Sequence, residues 1–318
     1  MQKENILITG ANGQIGTVLS QKLMDVYGDD HVLTTDIGHL DNIHGRFEKL
    51  DILDTGRLQE LLEKYGITQI YHLASLLSAS GEKNPMKTWN VNFNGLLNIL
   101  EVSRAKGIKK VFFPSSIAVF GDTTPKEFTP QDVPLLPDTV YGIGKVAGEL
   151  WCNYYHKRYG LDVRSVRYPG IIGYQSLPGG GTTDYAVEIF HKAVKGEKFV
   201  CFLREDTKLP MMYMDDAINA TLQLMEAPAE KVKLRYGYNI AAFSFTPEEL
   251  YLKIKKYYPD FQIEYRPDFR QAIADSWVKE IDDSKAREDW GWKPQYDFDM
   301  MVEDMIKHLS RQYSSIET

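Results

Sequence analysis

Through the first half of the chain, short apolar runs alternate with longer amphipathic ones, and this rhythm constrains the fold more than any other feature. "NILITG" (5–10), "HVLTTDI" (31–37), "FEKLDI" (47–52), "QIYHLA" (69–74), "VFFPSS" (111–116) and "VRSVRYPGII" (163–172) read as strands. The intervening "GQIGTVLSQKLMDVYG" and "NFNGLLNILEVSRAKG" carry apolar residues at helical spacing. Strand and helix in turn predict βαβ units and an α/β fold with a doubly wound parallel sheet. After about Gly173 the rhythm breaks. "PGGGTTDYAVEIFHKAVKG" opens a helix behind a glycine run, "DDAINATLQLMEA" reads as another, and "YGYNIAA" (236–242) as a late strand. "TPEELYLKIKKYYP" starts with a capping signature: Thr246 at N-cap, Pro247 at N1 and Glu249 at N3. The proline-bearing segment from Asp122 to Asp138 is expected to be an ordered loop at the edge of a site.

"GANGQIG" directly follows the first strand and places Gly10, Gly13 and Gly16, with Gln14 and Ile15 between them, at the head of a helix. Glycines there allow a tight turn and let backbone N–H groups approach a pyrophosphate at the positive helix end. Asp36 falls twenty residues after Gly16, at the end of the second strand, where a carboxylate can accept both ribose hydroxyls of a dinucleotide. A 2′-phosphate would meet that negative charge, and no arginine follows before Arg46, so NAD is favoured over NADP. The expected organisation is a Rossmann-type NAD-binding domain over residues 1–174, to which residues about 208–243 return. A smaller C-terminal substrate-binding lobe would take 175–207 and 244–318.

Composition narrows the partners. The net charge of -7 and pI near 5.6 leave no basic field for nucleic acid, and no basic cluster exceeds a pair such as Lys109-Lys110. No apolar run approaches the roughly 18 residues of a membrane span, and a first strand starting by Ile6 leaves no room for a signal peptide, so no membrane partner is expected and the cytoplasm is the expected compartment. Cys152 and Cys201 lack the neighbours of a redox or metal motif and read as packing residues; the seven histidines form no HExxH, so no metal site is expected.

"YGIGK" sets Tyr141 and Lys145 four residues apart on one helix face, about 5–6 Å between Cβ atoms. An ammonium at that distance favours the phenolate, so the tyrosine is expected to work as a base nearer neutrality. Ser116 ends the fifth strand twenty-five residues earlier. The GxxGxxG spacing, the strand-end serine and the Tyr-x-x-x-Lys pair resemble the extended short-chain dehydrogenase/reductase family, over nearly the whole chain from "ITGANGQIG" to "SKAREDWGWKP". The resemblance implies Ser116, Tyr141 and Lys145 as catalytic triad. Tyr141 would remove a hydroxyl proton while Ser116 holds that oxygen, and Lys145 would bind the nicotinamide ribose. It also implies Asp51 and Ile52 flanking the adenine, Leu73 and Ala74 lining the cofactor cleft, Asn92 near the cofactor, and Tyr168 and Ile171 as further cofactor contacts. Family members pair helices equivalent to 92–107 and 141–159, which implies a homodimer.

Members of that family that act on nucleotide sugars usually carry an asparagine after "RY" and one further residue, and an Arg-Asp pair before a strand ending in Asp-Asp. This chain has Gly170 in "RYPG" and Leu209-Pro210 before "MMYMDD". A site without those groups holds a diphosphate poorly, because a desolvated phosphate needs charge-assisted partners. The replacing segments "LLSASGEK", "PGGGTTDYAVEIF", "LPMMYMDD" and "IADSWVKEIDDS" resemble the short-chain-type L-threonine 3-dehydrogenases, which implies L-threonine as substrate; a nucleotide-sugar epimerase or reductase is the alternative. Thr182 and Thr183 at a helix start could bind a carboxylate, or cap their own helix. Asp184 is a candidate for the ammonium or a dipole partner, and Ser78 and Ser80 could reach the carboxylate, close as a lid, or form a plain turn. Tyr141 could also order the substrate, and Trp277 could shield it or simply pack.

Overall fold

The computed structural model describes residues 4–38 and 45–315. The first half runs β1 (Ile6–Thr9), α1 (Gln14–Tyr27), β2 (Val32–Asp36), β3 (Arg46–Lys49), α2 (Thr55–Lys64), β4 (Gln69–His72), short helices α3 (Ser78–Gly81) and α4 (Pro85–Trp89), α5 (Gly95–Lys106), β5 (Lys110–Ser116), α6 (Val140–Tyr159), β6 (Asp162–Tyr168) and β7 (Gly170–Ile172). The second half runs α7 (Tyr185–Val194), β8 (Phe199–Cys201), β9 (Leu209–Tyr213), α8 (Met214–Glu226), β10 (Tyr238–Asn239), β11 (Phe243–Phe245), α9 (Pro247–Lys255), β12 (Ile263–Tyr265), α10 (Phe269–Ser276), α11 (Ser284–Trp290) and α12 (Phe298–Ser314).

Seven strands pair in the order β10-β6-β5-β4-β1-β2-β3, all parallel, which is the Rossmann-type sheet the alternation predicts. Apart from the exposed edge strand β3, its strands are buried on both faces because helices cover both. Leu7, Leu33, Ile70, Val111 and Val163 pack with α2 and α5 on one side. Ile6, Ile8, Val32, Tyr71, Phe112 and Val166 pack with α1 and α8 on the other. The strand order reverses between β1 and β4, and such a switch point opens a crevice at the carboxyl ends of the strands.

The predicted strand 163–172 is two strands, since Pro169 lacks the N–H to continue the ladder; β6 belongs to the large sheet and β7 to a three-stranded sheet of order β11-β9-β7. The predicted strand 47–52 spans Arg46–Lys49, and the late strand 236–242 shrinks to Tyr238–Asn239. "LPMMY" is itself the central strand β9. Pro210 is tolerated there because it faces only Ser244 of β11, the pairing with β7 beginning one residue later at Met211. Alternation along β9 sends Leu209, Met211 and Tyr213 into a third core with α7, α9 and α12, while Met212 joins the core of the large sheet. The methionines therefore form a wall shared by two cores. The capping box at α9 is present, with Thr246 Oγ1 accepting from the Glu249 N–H and Glu249 from the Thr246 N–H.

Candidate active site

The turn after β1 is built around glycine. Gly10 has φ +72°, and a Cβ there would lie 2.6 Å from the Ala74 nitrogen at the end of β4. Gly13 caps α1 with no side-chain oxygen, and the first turn of α1 carries no acid, so this helix end offers bare N–H groups to an anion. Asp36 holds the turn from the next strand: its Oδ2 accepts from the Asn12 N–H at 3.0 Å and its Oδ1 from the Gly38 N–H at 3.2 Å. Asn12 Oδ1 is buried without a partner beside this turn. The glycine cradle, the uncapped helix end and the strand-end carboxylate fit a dinucleotide such as NAD.

Ser116 ends β5 and its Oγ accepts from the Ala118 N–H at 3.2 Å, which fixes the hydroxyl at the head of a single tight turn. Thr139 caps α6 through the Gly142 N–H at 3.0 Å, placing Tyr141 and Lys145 one turn apart. Gly142 is the residue that lets α6 come so close: a Cβ there would overlap the Ala118 carbonyl oxygen and lie 2.6 Å from Pro137 Cβ. Lys145 Nζ donates to the Pro114 carbonyl at 2.6 Å and sits 5.3 Å from the Tyr141 ring centroid. Burial pushes the Tyr141 phenol up to about 12, opposed by hydrogen bonding to Ser116. Burial likewise brings the Lys145 ammonium down to about 7, opposed by the nearby Glu149 carboxylate. Against the pull of the Lys145 ammonium toward the phenolate, burial dominates in the free site and holds the phenol up.

One cavity of about 430 Å³ joins the two halves of the site. Of the predicted residues, Gly10, Gly13, Gln14, Ile15, Gly16, Leu73, Tyr168 and Ile171 line it on the dinucleotide side, and Ser116, Tyr141 and Lys145 in the middle. Ser78, Ser80, Thr182, Thr183, Asp184 and Trp277 close the far end. Thr182 is buried and shares a 3.1 Å hydrogen bond with Ser78 Oγ, so the loop after β4 and the glycine run meet there. Helix α7 starts later than predicted, at Tyr185. Asp184 Oδ2 accepts from both the Gly180 and Gly181 N–H groups at 2.8 Å, so one oxygen of the proposed ammonium partner is already holding the glycine run. Thr183 packs against Gly170, opposite Met211.

The cavity does not reach Asp36, Asp51, Ile52, Ala74 or Asn92. Asp51 is exposed and accepts from the Leu53 N–H at 3.0 Å, while Ile52 is buried under α5 against Gly95. Asn92 lies in a π-helical turn, Asn90–Asn94, which rotates it toward the β4 loop. There its Oδ1 accepts from the Leu76 N–H at 2.8 Å and its Nδ2 donates to the Leu76 carbonyl at 2.9 Å. Asn92 thus braces the cavity wall instead of facing the cavity. Sequence reasoning missed Ser75, Leu77, Ser176 and Leu177, whose only signal is adjacency to the serine and glycine loops. Gln14 Nε2 donates to the Leu177 carbonyl at 3.2 Å, tying the dinucleotide helix to the glycine loop. Cys152 and Cys201 are free and buried, and among the described residues no cluster of three His, Cys, Asp or Glu could hold a metal. None of the described helices is long and apolar enough to cross a membrane.

Comparison with known proteins agrees with this fold. The model of the NAD dependent epimerase/dehydratase family matches residues 6–241. An uncharacterized epimerase/dehydratase of Staphylococcus haemolyticus is 47% identical over 314 residues, covering 97% of this chain and 98% of that protein. Among solved structures, the holo form of a GalE-like L-threonine dehydrogenase from Cupriavidus necator superposes with a TM-score of 0.94 at 55% identity, covering 96% of this chain and 99% of the other. A monomeric L-threonine 3-dehydrogenase from a metagenome gives a TM-score of 0.95 at 49% identity, with the same coverage. Carrying a glycine turn, a strand-end serine and a Tyr-x-x-x-Lys helix on one parallel sheet, this chain belongs to the NAD dependent epimerase/dehydratase family.

Proposed function

We propose that the protein oxidises the β-hydroxyl of L-threonine to give 2-amino-3-oxobutyrate, with NAD reduced to NADH. The observation that carries this reading is the far end of the cavity: where sugar-nucleotide enzymes would place phosphate-binding groups, Gly170 is covered by Met211 and Thr183, and the polar side chains there are the hydroxyls of Ser78, Ser80, Thr182 and Thr183 and the single carboxylate of Asp184. Such a pocket suits a small zwitterion better than a diphosphate. The close likeness to solved L-threonine dehydrogenases supports it.

NAD, when bound along the glycine turn, supplies the acceptor for the hydride that leaves the carbinol carbon. Gly10, Gly13, Gln14, Ile15 and Gly16 would hold its phosphates, Asp36 its ribose hydroxyls, and Leu73, Tyr168 and Ile171 the walls around it. Tyr141, as phenolate, takes the hydroxyl proton of threonine, and Ser116 donates a hydrogen bond to the same oxygen. Lys145 holds the nicotinamide ribose and passes the proton outward. Ser78 and Thr182 receive the substrate carboxylate, Asp184 the ammonium through its second oxygen, and Trp277 keeps water from the reacting carbon.

Residues 1–174, joined by 208–243, act in this reading as the NAD-binding domain, with 175–207 and 244–318 as the substrate lobe. Exposed Ile143, Leu150, Trp151 and Tyr154 on α6 support a homodimer packed through the helices of 92–107 and 141–159. Sedimentation equilibrium decides that point, a monomer being the contrary result. The two free cysteines support the cytoplasm as its compartment.

Absorbance at the NADH band tests the activity. Purified protein with NAD should give a rise with L-threonine and none with UDP-sugars; turnover of a UDP-sugar without threonine oxidation would replace this reading with the nucleotide-sugar one.

A further inference from the structure

Trp277 enters the cavity from the residue that follows α10, and the end of that helix is fixed by a lysine from a distant part of the chain. Lys126 Nζ donates to the Ser276 carbonyl at 2.6 Å and to the Asp275 carbonyl at 3.4 Å, the last two carbonyls of α10. A cation in this position satisfies groups the helix leaves unpaired and complements its negative end. The same ammonium lies 3.4 Å from the carbonyl oxygen of Gly121, five residues beyond Ser116.

Backbone bonds repeat the connection. The Lys126 carbonyl accepts from the Lys279 N–H at 2.9 Å and the Glu280 N–H at 3.1 Å, and Thr129 donates to the Glu280 carbonyl at 3.0 Å and accepts from the Asp282 N–H at 3.0 Å. Thr129 and Ile281 form an isolated parallel bridge. Between them Phe128 holds φ +46° with its ring largely exposed, a conformation that L residues keep only where flanking contacts over-determine it. The turn 125–129 is thus held in shape by what it clamps.

We propose that Lys126 is a positioning residue for substrate selection. By tying the end of α10 to the segment downstream of Ser116, it sets Trp277 at a fixed distance from the reacting hydroxyl. The inference rests on the threonine reading above. Its effect falls on the amino-acid end of the cavity, since the Lys126 ammonium bonds to Gly121, Asp275 and Ser276 and not to the glycine turn that would hold the dinucleotide.

The test compares the Lys126→Met and Lys126→Arg variants of the full chain with wild type, by steady-state kinetics, NAD titration and hydrogen–deuterium exchange. Loss of the charged hydrogen bonds in Lys126→Met should raise KM for L-threonine about tenfold or more. The NAD dissociation constant should be unchanged and kcat should stay within about threefold. Exchange should quicken across residues 269–282, and Lys126→Arg should restore most of both effects. An unchanged KM, a parallel fall in NAD affinity, or unaltered exchange over 269–282 would overturn the proposal. If wild type itself fails to oxidise threonine, the function reading falls, while the exchange comparison still decides whether Lys126 clamps α10.

Discussion

Met211 packs its sulfur over Gly170, the two being register partners in β9 and β7, and Thr183 closes the space from the other side. A Cβ on Gly170 would overlap that sulfur and lie 2.9 Å from Thr183 Cβ. Gly170→Asn, which imitates the sugar-nucleotide pattern, should therefore destabilise the fold by about 1–3 kcal/mol, as overpacking does. It should not create activity on UDP-sugars. Urea denaturation with the paired assay checks both; a stable, sugar-active variant would show that the wedge is not what excludes the diphosphate.

Tyr141→Phe should lower threonine turnover by at least about 10²-fold while NAD still binds. Because burial holds the Tyr141 phenol up near 12 in the free site, the base form is scarce at neutral pH. A group raised in this way supplies more phenolate as pH rises, so kcat/KM for threonine oxidation should climb from pH 7 through the alkaline range. A pH profile that is flat from 7 to 10, or near-normal turnover in Tyr141→Phe, would take Tyr141 out of this role.

Asp36 spends its two oxygens on the Asn12 and Gly38 N–H groups, so the carboxylate is fixed in place at the end of β2. Asp36→Asn keeps one acceptor and removes the charge that would repel a 2′-phosphate. It should weaken NAD binding and narrow the preference for NAD over NADP, both read by cofactor titration; a preference left intact would place the discrimination elsewhere.

Glu149 and Arg167 form a two-pronged ion pair, with N–O distances of 2.9 and 2.8 Å, that is almost wholly buried. Ser115 donates to the same carboxylate at 2.6 Å, and Arg167 also reaches the Gln131 carbonyl and Asn239 Oδ1. Removing one partner strands a buried charge, so Glu149→Ala should cost about 3–5 kcal/mol of stability. The double replacement Glu149→Leu with Arg167→Met should be less damaging than the sum of the single ones. Thermal or urea unfolding of wild type, the single replacements and the double one checks this, and additive losses of Glu149→Leu and Arg167→Met would refute it.

Much of this architecture was legible in the chain because the large sheet is buried on both faces: runs such as Ile6-Leu7-Ile8 leave little choice of period, and Ser116 and Tyr141 follow from the strand and helix that carry them. The glycine turn was legible because its close approach to the end of β4 admits no side chain at Gly10. Other features depend on partners far apart in sequence. Pro210 hid β9 from a local reading, since only the staggered start of β7 makes a proline tolerable there. Asn92 sits at the head of a helix by spacing, but one extra residue in the π-turn redirects its amide to Leu76. Asp184 carries the charge a ligand would want, yet two glycine N–H groups claim one of its oxygens. Lys126 is one lysine among many until α10 folds back onto it.

The strand pair β6 and β7 has a consequence for how this protein can be divided. Across Pro169 one stretch of chain leaves the large sheet and enters the small one, and in each sheet its neighbour arrives from beyond residue 200: β10 beside β6, and β9 beside β7. A fragment stopped at residue 174 would expose two raw strand edges, the kind that recruit other chains. The two halves of the chain are interlocked by sequence order, so this protein should resist dissection into autonomous pieces.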